Sequence, residues 1–142
     1  MKFVDTHTHL YVEQFDQDRE EVIQRAIDHG VDRFYLPAID KSYHKSMLET
    51  QELFPKHIKL MTGLHPTHVD DNYVEEIDFV AKQLESGNYI AVGEIGIDLY
   101  WDKSKLKEQQ EAFQKQIQLA KQYQLPIAIH CRDAFDLSLI HI

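Results

Sequence analysis

Histidine and carboxylate side chains in this sequence stand where predicted strands end. His7 and His9 form a His-x-His pair after the first apolar run, Glu94 follows a fourth run, and His130 closes a fifth. Residues two apart in a strand share a face, so both imidazoles of the pair can face one ion. A parallel barrel gathers the residues at the carboxyl ends of its strands. The sequence therefore predicts a divalent-metal site built from His7, His9, Glu94 and His130.

Each of these segments also has a structural interpretation when it is taken alone. A His-x-His pair can form a turn in which each ring bonds backbone or water, and short motifs often match by chance. Glu94 can form an ion pair or cap a helix, and His130 can bond a neighbouring loop. The combination is more specific than any one segment. Gly93 and Gly96 would let other groups approach the backbone closely beside Glu94.

The elements that must position these residues alternate between short β-rich runs and amphipathic helices. This alternation predicts a parallel sheet covered by helices. We expect strands at about 3–6, 33–39, 58–64, 89–94 and 126–129. We expect helices at about 16–29, 72–84 and 104–123, and one more that begins after Asp40 or Ser42 and ends before Pro55.

Composition limits the classes of function. The net charge of −9 argues against a broad basic surface that coats duplex DNA, although metal ions can still bring phosphates to an acidic protein. No apolar run approaches the ~18 residues of a membrane-spanning helix, and the first residues lack the apolar stretch of a signal peptide. With a single cysteine, Cys131, we expect a cytoplasmic protein that has no membrane partner.

The predicted strands complete only part of a barrel. Five strands do not close an eight-stranded barrel, which needs about 250 residues. The predicted fold class is therefore α/β, a TIM-type (β/α)8 barrel truncated after about five strands, with residues 1–136 as the N-terminal part of a single domain. Such an open sheet leaves an unpaired edge, so we expect poor stability or association.

The last six residues read differently from the rest. The string 137–142 is what results from translating a transposon-end adapter used in sequencing libraries, and it follows Asp136 abruptly. We therefore expect 137–142 to be a non-native tail. The alternative is an apolar strand or the start of a helix.

Four short sequence motifs make the prediction of a metal-dependent barrel more specific. They are Asp5-Thr-His-Thr-His-Leu10, Gly63-Leu-His-Pro66, Gly93-Glu-Ile-Gly-Ile-Asp98 and His130-Cys-Arg-Asp-Ala134. These strings resemble the four signatures of the TatD family of metal-dependent deoxyribonucleases, which belongs to the amidohydrolase-like superfamily. The resemblance covers about 1–136. It implies a metal-dependent hydrolase barrel with one or two divalent ions per site, and hydrolysis of DNA phosphodiester bonds, often from a 3′ end.

The resemblance also assigns roles to residues. It implies metal ligation by His7, His9, Glu94 and His130, with Glu94 as the catalytic carboxylate that bridges or orients the ions. The ions are Mg, Mn or Zn, and the ligand types do not choose among them. Two more family ligands, a His and an Asp, are expected from later strands. Cys131 stands where Ser is common, and we expect it to be a small buried residue rather than a nucleophile.

Substrate contacts are expected from two further residues. His65 can hold a phosphate oxygen or donate to the leaving group, or it can cap the turn made with Pro66. Arg132 can clamp a phosphate because its planar fork matches two oxygens, or it can pair with Asp133 or another carboxylate. The predicted partner is DNA, single-stranded or at 3′ ends, with no protein partner.

Other interpretations stay open from the sequence. The loop residues Tyr100 and Trp101 can stack on an unpaired base, or can simply pack a lid. A related amidohydrolase could act on a small cyclic amide, although many such enzymes use a Lys on strand four, where this chain has Glu94. A third alternative is an inactive truncated fragment.

Overall fold

Strands and helices alternate along the chain, as the sequence pattern predicts. The structure is a computed structural model, and it describes residues 1–141. Its strands in this range are β1 (Phe3–Asp5), β2 (Val31–Leu36), β3 (Ile58–Leu60), β4 (Val92–Asp98) and β5 (Ile127–Arg132). Its α-helices are α1 (Arg19–Asp28), α2 (His44–Leu53), α3 (Tyr73–Leu84), α4 (Leu106–Gln122) and α5 (Phe135–His141). No helix in residues 1–141 is both long and apolar enough to cross a bilayer.

The strands pair in parallel and in chain order. β1, β2 and β3 form one sheet, and β4 pairs with β5 in a second. A parallel bridge between Thr62 and Val92 joins the two sheets. Backbone hydrogen bonds reinforce this seam, since Gly93 N–H donates to Thr62 O at 2.9 Å. The carboxyl ends of the strands therefore lie along one continuous edge.

β4 is the most deeply buried strand, because every residue from Val92 to Asp98 is buried. Its apolar side chains Val92, Ile95 and Ile97 are fully buried, and Phe113 of α4 is fully buried in the same cluster. A strand buried on both faces carries a near-continuous apolar run, as parallel strands typically do. The candidate site residue Glu94 thus lies on the most rigidly packed strand.

Two buried glutamines of α4 hold the chain next to the site. Gln109 Oε1 accepts from Asp98 N–H at 2.8 Å, and its Nε2 donates to Asp98 O at 3.1 Å. Gln116 makes the same pair of bonds with the backbone of Leu64, at 2.7 and 3.3 Å. Each amide satisfies a backbone donor and acceptor that would otherwise be buried without partners. α4 therefore fixes the end of β4 and the residue that precedes His65.

Several predicted strand bounds are wrong. β4 ends at Asp98 rather than at Glu94, so Glu94 lies inside its strand. Gly93 and Gly96 lie where β5 approaches the backbone of β4 closely. β3 ends at Leu60, so His65 lies in the following loop, and β2 ends at Leu36, before Pro37, which has no N–H for strand pairing.

The prediction that Cys131 is buried is also wrong, since its side chain is exposed. β5 pairs with β4 on one side and has no strand on its other side within residues 1–141. Ile129, on the same strand, is 38% exposed for the same reason. Residues 135–141 form α5, in which Ser138 is buried and donates through Oγ to Ala134 O at 2.9 Å.

Candidate metal centre

The carboxylate of Glu94 lies among imidazoles that come from three other segments. Oε2 lies 2.9 Å from His7 Nε2 and 3.4 Å from His9 Nε2. Oε1 lies 3.1 Å from His130 Nδ1 and 3.8 Å from His65 Nε2. The structure therefore brings together the residues that the sequence suggested as ligands, and it adds His65.

Glu94 divides these side chains into two groups. Within residues 1–141 the ligand atoms of His7, His9 and Glu94 lie within 4.8 Å of one another, and so do those of His65, Glu94 and His130. A carboxylate that turns one oxygen to each group has the arrangement of a bridge between two cations. Imidazole nitrogens and carboxylate oxygens are donors that zinc, manganese and related ions accept.

The segment after β1 directs His7 and His9 toward Glu94. The carboxylate of Asp5 accepts from His7 N–H at 3.1 Å, and Thr8 N–H donates to Tyr35 O of β2 at 3.2 Å. The chain thus stays beside β2 after β1 has ended, with a bend at His7. The two imidazole rings meet edge to face with centroids 5.3 Å apart.

Glycines next to Glu94 allow the close packing that the sequence suggested. A Cβ on Gly93 would lie 2.6 Å from the Cβ of Ala128, and one on Gly96 would lie 1.9 Å from His130 O. The prediction that Gly93 and Gly96 permit close backbone approach is confirmed. The peptide bond between Gly93 and Glu94 is cis.

Asp98 orients His130, and sequence reasoning missed it. His130 Nε2–H donates to Asp98 Oδ2 at 2.7 Å, while Asp98 Oδ1 accepts from Tyr100 N–H at 2.9 Å. An ionised carboxylate only accepts, so the Nε2 of His130 carries a proton. Sequence spacing could have indicated Asp98, because it lies four residues after Glu94 and therefore on the same face of β4.

The orientation of His130 fits a cation. With Nε2 protonated, neutral His130 directs its Nδ1 lone pair at Glu94 Oε1, 3.1 Å away. Two acceptors at this distance are stable only with positive charge between them, from a proton or a metal ion. The negative carboxylates of Glu94 and Asp98 outweigh burial and raise the pKa of His130. The donor set therefore fits the predicted divalent ion.

Glu94 itself is held as an anion. Burial alone would raise its pKa, but the surrounding imidazoles of His130, His9, His65 and His7 lower the pKa well below its usual range. Its side chain is only 8% exposed. A buried carboxylate that stays ionised at neutral pH is the electrostatic requirement for a metal ligand.

His65 uses its two ring nitrogens differently. Thr67 N–H donates to Nδ1 at 3.2 Å, so the capping alternative from the sequence is observed. Because Nδ1 accepts, neutral His65 carries its proton on Nε2, which lies 3.1 Å from His130 Nδ1. Burial lowers the pKa of His65 to about 4, despite the opposing effect of Glu94. His65 therefore presents a neutral N–H donor to the site, not a lone pair.

Arg132 lies beside exposed aromatic rings. Its guanidinium carbon is 3.7 Å from the ring centroid of Tyr100 and 5.4 Å from that of Trp101. Among the described residues no carboxylate forms an ion pair with Arg132, so the suggested pairing with Asp133 is not observed. Tyr100 and Trp101 are 52% and 71% exposed. The guanidinium and both rings thus form an open surface at the ends of β4 and β5.

Tyr11 is a second neighbour of the site that sequence reasoning missed. Its ring is 1% exposed, and its hydroxyl lies 2.9 Å from His9 Nδ1. Burial raises the pKa of Tyr11, and Tyr43, Glu94 and Asp40 raise it further. The hydroxyl therefore stays protonated at neutral pH.

Comparison with known proteins agrees with this site. The sequence profile of the family described as TatD related DNase matches residues 4–142. A Bacillus subtilis (strain 168) protein named as an uncharacterized metal-dependent hydrolase, YabD, is 39% identical over 92% of this chain and 51% of its own length. A Pantoea sp. (strain At-9b) protein named 3′-5′ ssDNA/RNA exonuclease TatD is 33% identical over 93% of this chain and 51% of its own.

A solved structure shares the fold. The crystal structure of YjjV, a TatD homolog from Escherichia coli K12, superposes with a TM-score of 0.89 at 32% identity, covering 98% of this chain and 54% of that one. The chain thus spans about half the length of the relatives it matches.

Proposed function

Because this chain belongs to the TatD related DNase family of metal-dependent hydrolases, we propose that it contributes the metal centre of an enzyme that cleaves DNA phosphodiester bonds from a 3′ end. The observation that carries this proposal is the position of Glu94, with one carboxylate oxygen toward His7 and His9 and the other toward His130. The Pantoea relative's name, a 3′-5′ ssDNA/RNA exonuclease, supports a single-stranded substrate.

His7, His9, Glu94 and His130 are the proposed ligands. A divalent ion held by them supplies water activation and stabilises charge on the phosphate. Glu94 keeps its negative charge at neutral pH because the surrounding imidazoles lower its pKa. Its proposed catalytic role is to bridge the two histidine groups and fix their separation.

His65 and Arg132 are the proposed substrate contacts. The neutral Nε2–H of His65 faces the Glu94 carboxylate and can donate to a phosphate oxygen placed there. The guanidinium of Arg132 lies at the rim, next to the exposed faces of Tyr100 and Trp101. A cation beside aromatic rings suits an unpaired nucleotide, whose phosphate pairs with the guanidinium while its base stacks.

The chain's place in the whole protein is also a proposal. We propose that residues 1–136 form the N-terminal part of one (β/α)8 barrel, that 137–142 are not native, and that the protein works in the cytoplasm. The coverage of about half of each relative supports the first of these. Sequencing unfragmented source DNA across codons 130–150, and on to the end of the reading frame, tests it. A frame that continues past codon 136 for about 110–120 residues with a later His and Asp supports the barrel, and a stop after codon 142 contradicts it.

A nuclease assay tests the proposed reaction. We expect this chain alone to be inactive, so a full-length version is the protein to assay. Single-stranded DNA and RNA oligonucleotides labelled at the 5′ end are incubated with that full-length version after chelation, and then with added Mg, Mn or Zn. We expect metal-dependent shortening from the 3′ end, and loss of it in Glu94→Gln. Glu49→Gln is a matched control, because Glu49 lies on the surface of α2 and pairs with Lys45. Metal-dependent hydrolysis of cyclic amides without any cleavage of nucleic acid would contradict the proposal.

A further inference from the structure

The hydroxyl of Tyr11 lies between the metal centre and the backbone after β2. Tyr11 Oη donates to Pro37 O at 2.7 Å and lies 2.9 Å from His9 Nδ1. The ring is buried at 1% exposure, so water does not replace either partner. Both contacts belong to one short chain of hydrogen bonds that ends at the imidazole of His9.

The donors and acceptors in this chain fix where the protons lie. A tyrosine hydroxyl has one proton, and a carbonyl oxygen only accepts. The hydroxyl proton of Tyr11 is therefore donated to Pro37 O. The hydroxyl oxygen must accept in its other contact, so His9 Nδ1 must carry a proton. In neutral His9, Nε2 then has the free lone pair.

That lone pair faces the metal centre. His9 Nε2 lies 3.4 Å from Glu94 Oε2. Without a positive charge between them, the nitrogen lone pair and the carboxylate oxygen repel each other. The same arrangement holds a cation well, because both atoms then act as ligands. The hydrogen-bond chain thus favours the form of His9 that binds metal.

We infer that Tyr11 is a positioning residue, which fixes His9 as the Nδ1–H tautomer with Nε2 directed at the cation site beside Glu94. The metal-binding consequence rests on the proposed function, whereas the tautomer itself does not. Hydrogen bonds to the outer nitrogen of a ligating histidine orient the ring and raise its basicity, and their loss typically weakens metal binding about 10–100-fold.

Surrounding contacts keep Tyr11 in place. Its carbonyl oxygen accepts from Arg19 Nη2 at 3.0 Å and from the hydroxyl of Ser46. Its ring packs edge to face against Tyr43, with centroids 5.5 Å apart. Groups at the start of α1, in α2 and before α2 therefore hold the ring whose hydroxyl orients His9.

The test compares Tyr11→Phe with Tyr43→Phe. Tyr43 is a matched control because it packs on Tyr11, while its own hydroxyl points to Glu13 at 3.4 Å on the surface. Long-range ¹H–¹⁵N correlation spectra of the metal-free protein report the tautomer, with His9 assigned from His9→Gln. We expect wild type and Tyr43→Phe to show His9 protonated at Nδ1, and Tyr11→Phe to show a mixture of tautomers.

Zinc affinity, measured by competition with a chromophoric chelator, gives the second readout. We expect about a 10-fold or greater loss in Tyr11→Phe and no change in Tyr43→Phe. A wild-type His9 protonated at Nε2, or a folded Tyr11→Phe with unchanged tautomer and unchanged affinity, would overturn the inference.

The two readouts separate this inference from the proposed function. If wild type binds no zinc, the proposed metal centre fails, yet the tautomer in metal-free protein still decides the role of Tyr11. If Tyr11→Phe does not fold, as judged by its thermal transition, the wild-type tautomer alone supports or overturns the inference.

Discussion

At the scale of residues, the proposed ligands were identified from the sequence, while the residues that orient them were not. His7, His9, Glu94 and His130 stand out because their spacing relative to apolar runs is unusual. Tyr11 and Asp98 act through partners that only the fold supplies. Pro37, for example, lies 26 residues from Tyr11 in sequence. No periodicity in the sequence predicts a hydrogen bond between residues so far apart in the chain.

Asp98 provides a prediction about the basicity of His130. Asp98→Asn replaces the charged acceptor at His130 Nε2 by a neutral one. The Nδ1 of His130 then becomes a poorer electron-pair donor to a metal ion. We expect zinc affinity to fall about 10-fold or more, measured by chelator competition. Asp102→Asn is the control, since Asp102 is an exposed loop carboxylate that accepts hydrogen bonds from Ser104. Equal affinities for Asp98→Asn and wild type would show that the carboxylate does not tune His130.

His65 provides a prediction about pH. Its native pKa of about 4 lies below the ordinary value of 6.5, so between these values the unfolded state binds more protons. The contribution of His65 to the free energy of unfolding therefore decreases as pH falls from about 6.5 toward 4. We expect His65→Gln to remove part of this decrease, on the order of 1 kcal/mol between pH 7 and 5 in urea unfolding of metal-free protein. Parallel pH profiles of wild type and variant would contradict the assignment of a neutral, buried His65.

At the scale of elements, helices were predicted more accurately than strands. The expected helices at 72–84 and 104–123 correspond to α3 and α4 within two residues at each end. Their apolar stripes recur over three or more turns, so the pattern itself defines them. β4 was predicted at 89–94, but it runs from Val92 to Asp98. The close approach at Gly93 and Gly96 was predicted from the sequence, whereas only the fold shows that β5 is the approaching strand.

Gly96 tests how closely β4 and β5 pack. Gly96→Ala would place a Cβ 1.9 Å from His130 O at a backbone φ of +150°, so the strands must separate. We expect a loss of more than about 3 kcal/mol in the free energy of unfolding, or failure to fold. Gly87→Ala is the control, because Gly87 also has positive φ, at +70°, but no atom lies within 4 Å of the added Cβ. The control should lose only about 1–2 kcal/mol, the cost of the left-handed backbone for alanine. Similar losses in both variants would mean that φ strain, not strand contact, explains the effect.

At the scale of the whole molecule, the described strands pair in parallel and in chain order. The chain spans about half the length of its relatives. The sequence indicated the α/β class because strands and helices alternate. The closed barrel and the expected association of an open sheet stay predictions. The periodicity within the chain carries no information about either of them.

The metal centre is the central claim, and anomalous X-ray scattering tests it most directly. Crystals of the protein grown with Zn or Mn are measured at the absorption edge of the metal. We predict one or two anomalous peaks beside the Glu94 carboxylate, about 2.0–2.2 Å from the ligand atoms of His7, His9 or His130. If two ions bind, they should lie about 3.5–4 Å apart with Glu94 between them. Metal bound elsewhere, with no peak within bonding distance of Glu94 or these histidines, would contradict the account.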